Sequence, residues 1–255
     1  MPTLGLLGDV HAHAGRLARS LTWLAKQGPL DGVLLVGDIA GNPAWARRAH
    51  PEELVRMRMD IGSIVRQVEQ TLSTRVLFVP GNHDPRDVSH PGNVDRRQRV
   101  LAGLRIVGLG GAGPDLFGLP YEWEEAEVDA LDLPAWDVLL SHCPPRDTAL
   151  DVLRGGPRHV GSAAVRRRAE RGHGLLVSGH IHESVSAEVL GGTLCVNVGG
   201  LGEPHGKAQA AVARFRASPD GWQIRVQHRD LEPGGKTKRW SHAISRAPGV
   251  ETGAR

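Results

Sequence analysis

Five short blocks of the sequence carry residue types that bind metal ions: Gly8-Asp9-Val10-His11-Ala12-His13, Gly37-Asp38-Ile39-Ala40-Gly41-Asn42, Gly81-Asn82-His83-Asp84, Ser141-His142-Cys143 and Gly179-His180-Ile181-His182. Carboxylate, amide and imidazole donors without thiolate suit manganese, iron, zinc or cobalt better than a structural zinc. Asp9, His11, Asp38, Asn82, His142, His180 and His182 make seven candidate ligands. That is too many for one tetrahedral ion and fits two divalent ions that share a carboxylate. In extended chain, residues i and i+2 point to the same side, so the spacing predicts that Asp9 converges with His11, and His180 with His182. The glycines preceding Asp9, Asp38, Asn82 and His180 predict tight backbone turns there.

Any one block is weak evidence, because Gly-Asp and Asn-containing turns need no ligand. The set gains weight from its placement, since each block follows a short apolar run. Residues 3–7, 32–36 and 75–79 read as buried strands, and 14–27 and 52–71 have apolar residues at helical spacing, giving a βαβαβ opening with right-handed crossovers. Further strands are predicted at 105–109, 137–140 and 175–178, with a helix over 162–171. Each run thus delivers polar side chains at its C-terminal end, where open α/β sheets place their ligand crevice. From 184 onward the pattern changes to a run of hairpins over 184–190, 193–198, 209–215 and 222–229. Two packed sheets with helices outside follow from this change, in a domain spanning 1–231. Residues 232–255, rich in Pro, Gly and charge without periodicity, read as a basic, loosely ordered tail.

Composition narrows the function classes. With 255 residues, 40% of them apolar and 23% charged, the chain is an ordinary globular protein. No run is long and apolar enough for a membrane span, and the start shows no secretory pattern, so a cytoplasmic location is expected. Two cysteines, Cys143 and Cys195, make neither a disulfide framework nor a thiolate zinc site. The net charge of +3 lies wholly after residue 231, and only 4% of residues are aromatic, so nucleic acid is not indicated as a partner. Oligomeric state is left open.

The ordered set Asp9-x-His11, Gly37-Asp38, Gly81-Asn82-His83-Asp84, His142 and Gly179-His180-x-His182 resembles the calcineurin-like metallophosphoesterases over roughly residues 3–215. The resemblance implies an α/β fold, a four-layer αββα sandwich of two mixed sheets flanked by helices, with a dinuclear centre at one edge. By the same resemblance Asp9, His11 and His182 hold one ion, Asn82, His142 and His180 hold the other, and Asp38 bridges them. His83 matches the family's catalytic histidine that faces the phosphate without ligating. The implied activity is hydrolysis of a small-molecule phosphate ester by hydroxide activated between two divalent ions (Mn, Fe, Zn or Co). A small nucleotide-like phosphodiester is preferred, with a phosphomonoester as the alternative. One departure is that related protein phosphatases carry Gly-Asp-x-x-Asp-Arg-Gly in the second block. Gly41 and Asn42 stand here instead, which argues against protein phosphatase activity and leaves the group orienting His83 unnamed.

Three further residues are candidates for substrate contact or support: His13 beside the first block, Asp84 beside His83, and Ser162, which also reads as a helix N-cap. Asn197 and Gly199-Gly200 are expected to turn beneath the site, Cys143 to pack, and Arg96-Arg97 to lie on a solvated face. His50, His90, His173, His205, His228 and His242 fit no pattern. A binding module on the same sandwich with a degenerate site is disfavoured because every ligand position is filled. A metallo-β-lactamase-type hydrolase would need His-x-His-x-Asp-His in one stretch, which is absent.

Overall fold

The computed structural model describes residues 1–42, 50–156, 158–219 and 221–245. The first sheet contains β1 (Thr3–Leu7), β2 (Gly32–Val36) and β3 (Val76–Val79), joined through helices α1 (Ala14–Ala25) and α2 (Pro51–Leu72). The second sheet contains β4 (Gln98–Leu101), β5 (Leu104–Leu109), β6 (Val138–Ser141), β7 (Leu175–Ser178), β8 (Ser186–Leu190) and β9 (Thr193–Asn197), with helices α3 (Glu125–Asp129) and α4 (Ala163–Arg171). The chain then returns to the first sheet with β10 (Gln209–Ser218), β11 (Gly221–Asp230) and β12 (Thr237–Ser245). The orders are β12-β11-β10-β1-β2-β3 and β4-β5-β6-β7-β9-β8.

Side-chain alternation explains the layering. In β1 and β2, Leu4, Leu6, Leu34 and Val36 face β5, β6 and β7 residues such as Ile106, Leu140 and Val177, forming the core between the sheets. The intervening Val33 and Leu35 face outward onto Leu17, Leu21 and Leu24 of α1 and Ile61, Val65 and Val68 of α2. On the other side, Val107, Leu139 and Leu176 pack under Ala164, Val165 and Ala169 of α4. Strands covered on both faces must be apolar at every position, which is why they read as unbroken runs. The result is the expected four-layer αββα sandwich. Parallel pairing of β1-β2-β3 and of β5-β6-β7 points the C-terminal ends of these strands to one edge.

The hairpin reading of the second half is only partly right. β8-β9 and β10-β11 are antiparallel pairs, but they belong to different sheets, and β9 also pairs parallel with β7. A β-strand over 98–101 was not anticipated, because its Gln98, Arg99 and Val100 lack the apolar alternation of a core strand. The tail reading is also corrected: Thr237–Ser245 form β12, paired antiparallel with β11. Its inward positions alternate Lys238, Trp240, His242 and Ile244, so charge and imidazole interrupt the signal while Trp240 and Ile244 pack on the inter-sheet core. Part of the 42–51 connection, Asp220 of the 219–221 turn and residues 246–255 of the tail lie outside the described residues. Truncation after residue 231 is therefore expected to destabilise. Loss of the Trp240 and Ile244 packing, about 2–4 kcal/mol, should lower Tm by roughly 5–10 °C, readable by thermal unfolding of the truncated chain. An unchanged Tm would show that β12 contributes nothing to the fold.

Candidate metal centre

The turns that follow β1, β2, β3, β6 and β7 bring the seven candidate ligands to one sheet edge. The reason differs from the i, i+2 argument. Asp9, His11, Asp38 and His180 all have left-handed backbone, with φ of 44°, 44°, 46° and 65°. These residues have left the strands, and tight turns rather than strand alternation aim their side chains. Such conformations cost about 1–3 kcal/mol each in non-glycine residues and persist where surrounding bonds over-determine them. Here those bonds are visible. Asp9 N donates to Gly37 O at 3.2 Å and His11 N to Asp38 O at 2.8 Å. The Asp9 carboxylate accepts from His180 N at 2.9 and 3.1 Å, and Asp38 Oδ1 accepts from His83 N at 2.9 Å.

The glycines act in two ways. Gly37 has φ of +89°, a conformation strained for any L side chain. Gly81 does not, but a methyl group there would overlap both Oδ1 and the backbone nitrogen of Asp38. Gly81→Ala is therefore expected to displace Asp38. The variant should bind less than one equivalent of manganese and lose about 100-fold or more in rate, a cost typical of 1 Å misplacement at a catalytic site. Normal metal content by elemental analysis would refute this.

Two clusters of possible ligand atoms result: Asp9, His11 and His182, and Asp9, Asp38 and His142, each with atoms within 4.8 Å of one another. Asp38 Oδ2 also lies 3.5 Å from His11 Nε2 and 3.6 Å from His142 Nε2, so it stands between the two groups as well. Asn82 Oδ1 is 2.8 Å from His142 Nε2, and the His180 ring packs edge-on against His142 with centroids 5.0 Å apart.

The hydrogen bonding fits a cation. His142 Nδ1 donates to Val36 O at 2.7 Å, so in the neutral ring Nε2 carries a lone pair, and it points at the oxygens of Asn82 and Asp38. His182 Nδ1 donates to Pro204 O at 2.6 Å, so its Nε2 faces Asp9 Oδ1 at 3.4 Å. His11 has no hydrogen-bond partner for either buried ring nitrogen among the described residues. The inward nitrogens of His142 and His182 and the carboxylate oxygens of Asp9 and Asp38 thus converge on one region, where a cation can take the place of the protons that otherwise separate them. In the bare protein the same crowding perturbs titration. Burial raises Asp38, but the imidazoles of His142, His83 and His11 outweigh it and hold the carboxyl below the usual range. Burial opposes the charge on His182, yet Asp9 raises the imidazole to about 9. Burial, with His142 beside it, pushes His180 down to about 3.

His83 is half-buried beside the cluster, its ring 5.4 Å from that of His11 and its Nδ1 without a hydrogen-bond partner among the described residues. Asp84 does not orient it. The Asp84 carboxylate is fully buried and accepts from the backbone amides of Ile39, Ala40 and Gly81, tying the second block to the third. His13 is also placed outside the cluster, as the N-cap of α1 accepting from Arg16 N. Ser162 caps α4 through Val165 N, and the start of that helix is already covered by the Glu125 carboxylate, so it does not face the site. Cys143 is buried, with burial raising its thiol far above the usual range, in keeping with packing. Arg96 is not on a solvated face, since it donates to Glu127 at 2.8 Å and is partly buried.

Sequence reasoning underrated the Asn197–Pro204 segment. Asn197 is fully buried and donates to the carbonyls of Leu150, Gly179 and Ile181, so it holds the turn carrying His180 and His182. Side chains at Gly200 and Gly202 would run into the rings of His182 and His11. The glycine density of 199–202 was the available signal.

The fold and this site define a class. The calcineurin-like phosphoesterase profile matches residues 2–184, and the chain belongs to that family. An uncharacterized protein of Methanocaldococcus jannaschii, MJ1162, is 32% identical over 136 residues, covering 48% of this chain and 62% of that protein, so the match spans less than two thirds of the relative. One crystal structure aligns over 95% of this chain and 100% of its own at 17% identity, with a TM-score of 0.63. Vps29 of Chaetomium thermophilum aligns over 97% of this chain and 100% of its own at 12% identity, with a TM-score of 0.48. The first of these two likenesses speaks to fold alone. Among the described residues no helix is long and apolar enough to cross a membrane.

Proposed function

We propose that the chain is a metal-dependent phosphoesterase that hydrolyses small phosphate esters, with a nucleotide-like phosphodiester preferred over a phosphomonoester. The observation that carries this reading is the convergence of imidazole nitrogens and carboxylate oxygens at one buried focus. Asp9, His11 and His182 would hold one divalent ion, Asn82, His142 and His180 a second, and Asp38 both. When bound, such a pair supplies an acidified water for attack on phosphorus and offsets charge on the phosphoryl oxygens. The chain's own contribution is positional. Asp9 and Asp38 fix the His180 and His83 backbones, Asn197 holds the turn beneath, and Val36 O and Pro204 O set which ring nitrogens of His142 and His182 face inward. His83, close to the cluster but outside its ligand groups, is placed to give a proton to the departing oxygen.

The narrow preference rests on size. The connections around residues 85–97 and 112–124 adjoin the site, and among the described residues no large cap covers it. The test is hydrolysis of bis-p-nitrophenyl phosphate against p-nitrophenyl phosphate with added manganese. Turnover of the diester at a higher kcat/KM supports the preference, turnover of the monoester alone replaces it with the monoesterase reading, and turnover of neither removes the proposed function.

A further inference from the structure

Beside the metal cluster runs a groove of about 410 Å³, which His182 also lines. Its other walls come from Arg154, from the His205–Gln209 turn and from the β11-β12 hairpin. The last two lie beyond residue 184, outside the stretch the family profile matches. Among its lining residues is His228, 2% exposed, whose ring has the Val198 backbone within reach but makes no well-aligned hydrogen bond through either nitrogen among the described residues. A buried polar ring left without a well-made hydrogen bond destabilises a fold by roughly 1–3 kcal/mol, which a ligand in the groove would offset. Burial first, and then the nearby Lys238 charge, push this imidazole down to about 4, leaving it neutral with one N–H and one lone pair to offer.

The charges around the groove are sorted. Its acids are already bonded within the protein: Glu183 accepts from Arg154 N, Asp230 from Lys207, and Glu232 from Ala208 N and Arg19. The guanidinium of Arg154 and the ammonium of Lys236 are exposed, and neither has a partner among the described residues. The groove therefore offers two free cations and one neutral donor-acceptor ring next to the ligand set.

We infer that this groove is a second anion subsite, and that the substrate carries a further phosphoryl group on a hydroxylated carbon framework. The distal phosphoryl binds Arg154 and Lys236, the framework hydroxyl meets His228, and the scissile group lies at the metal cluster. This rests on the phosphoesterase reading and deepens it.

The experiment uses the full, manganese-loaded chain with three probes: p-nitrophenyl phosphate, adenosine 5′-monophosphate and adenosine 3′,5′-bisphosphate. Calorimetric Kd values for the two nucleotides accompany the kinetics. The bisphosphate should bind, and be turned over by kcat/KM, about tenfold or more better than the monophosphate, as expected for charge-assisted contacts. The double variant Arg154→Ala/Lys236→Ala should erase that advantage while leaving p-nitrophenyl phosphate within about twofold. His228→Leu should lower bisphosphate affinity with an equal or higher Tm, because it removes a buried polar ring without a well-made hydrogen bond. Equal treatment of both nucleotides, or an advantage that survives the double variant, would overturn the subsite while the phosphoesterase reading stands on p-nitrophenyl phosphate turnover. No turnover of these probes or of bis-p-nitrophenyl phosphate, with the calorimetric preference intact, would remove the phosphoesterase reading and keep the subsite.

Discussion

Asp38→Asn should cut turnover of the best ester by about 1,000-fold or more and reduce bound manganese from near two equivalents to one or fewer. The geometry gives the reason. Oδ1 of Asp38 accepts the His83 amide, and Oδ2 lies between the inward nitrogens of His11 and His142 at 3.5 and 3.6 Å. An asparagine keeps the first contact, so the third block should stay in place and the protein should fold. It replaces the second oxygen with an uncharged NH2 group that cannot ligate and removes the negative charge there. Elemental analysis and steady-state rates read the two effects separately. Unchanged metal content and rate would show that Asp38 does not join the two groups.

His83→Ala should give the complementary result: a rate loss of about 100- to 1,000-fold with manganese still near two equivalents. The backbone N–H that holds Asp38 survives the substitution, so the ligand cluster keeps its support. The missing imidazole is the half-buried ring whose Nδ1 has no hydrogen-bond partner among the described residues. If it protonates the leaving oxygen, the loss should be much smaller for p-nitrophenyl esters than for alkyl esters, because nitrophenolate departs without a proton. An equal loss for both would assign the ring to phosphate binding, and loss of metal would make it a ligand.

The departure in the second block bears on this residue. Where related protein phosphatases have a second aspartate, Gly41 stands, and Asp84 is committed to the backbone amides of Ile39, Ala40 and Gly81. Among the described residues nothing bonds Nδ1 of His83. The ring's orientation is set by its neighbours, with His11 packed edge-on against it.

The apolar runs 3–7 and 32–36 read as strands because they are buried on both faces, and their burial is complete. The five polar blocks stood out only as a set, because each alone reads as an ordinary turn while all five follow such runs. β12 was illegible because Lys238 and His242 occupy inward positions at a sheet margin, where long side chains reach solvent past Trp240 and Ile244. The roles of His13 and Ser162 were half legible, since a cap and a substrate contact use the same side-chain atoms.

Residue types and their order were enough to point to the family, the layered fold and the edge at which the candidate ligands gather, because donor identity and strand burial are local properties written in composition and periodicity. Which nitrogen of His142 or His182 faces inward, that Asp84 ties backbone rather than orienting His83, and that His228 opens onto a groove beside the cluster were decided only by tertiary structure. Those facts depend on carbonyls and amides such as Val36 O, Pro204 O and Ile39 N. Backbone groups are chemically alike at every position, so nothing in the residue order marks which of them will be brought against a given side chain.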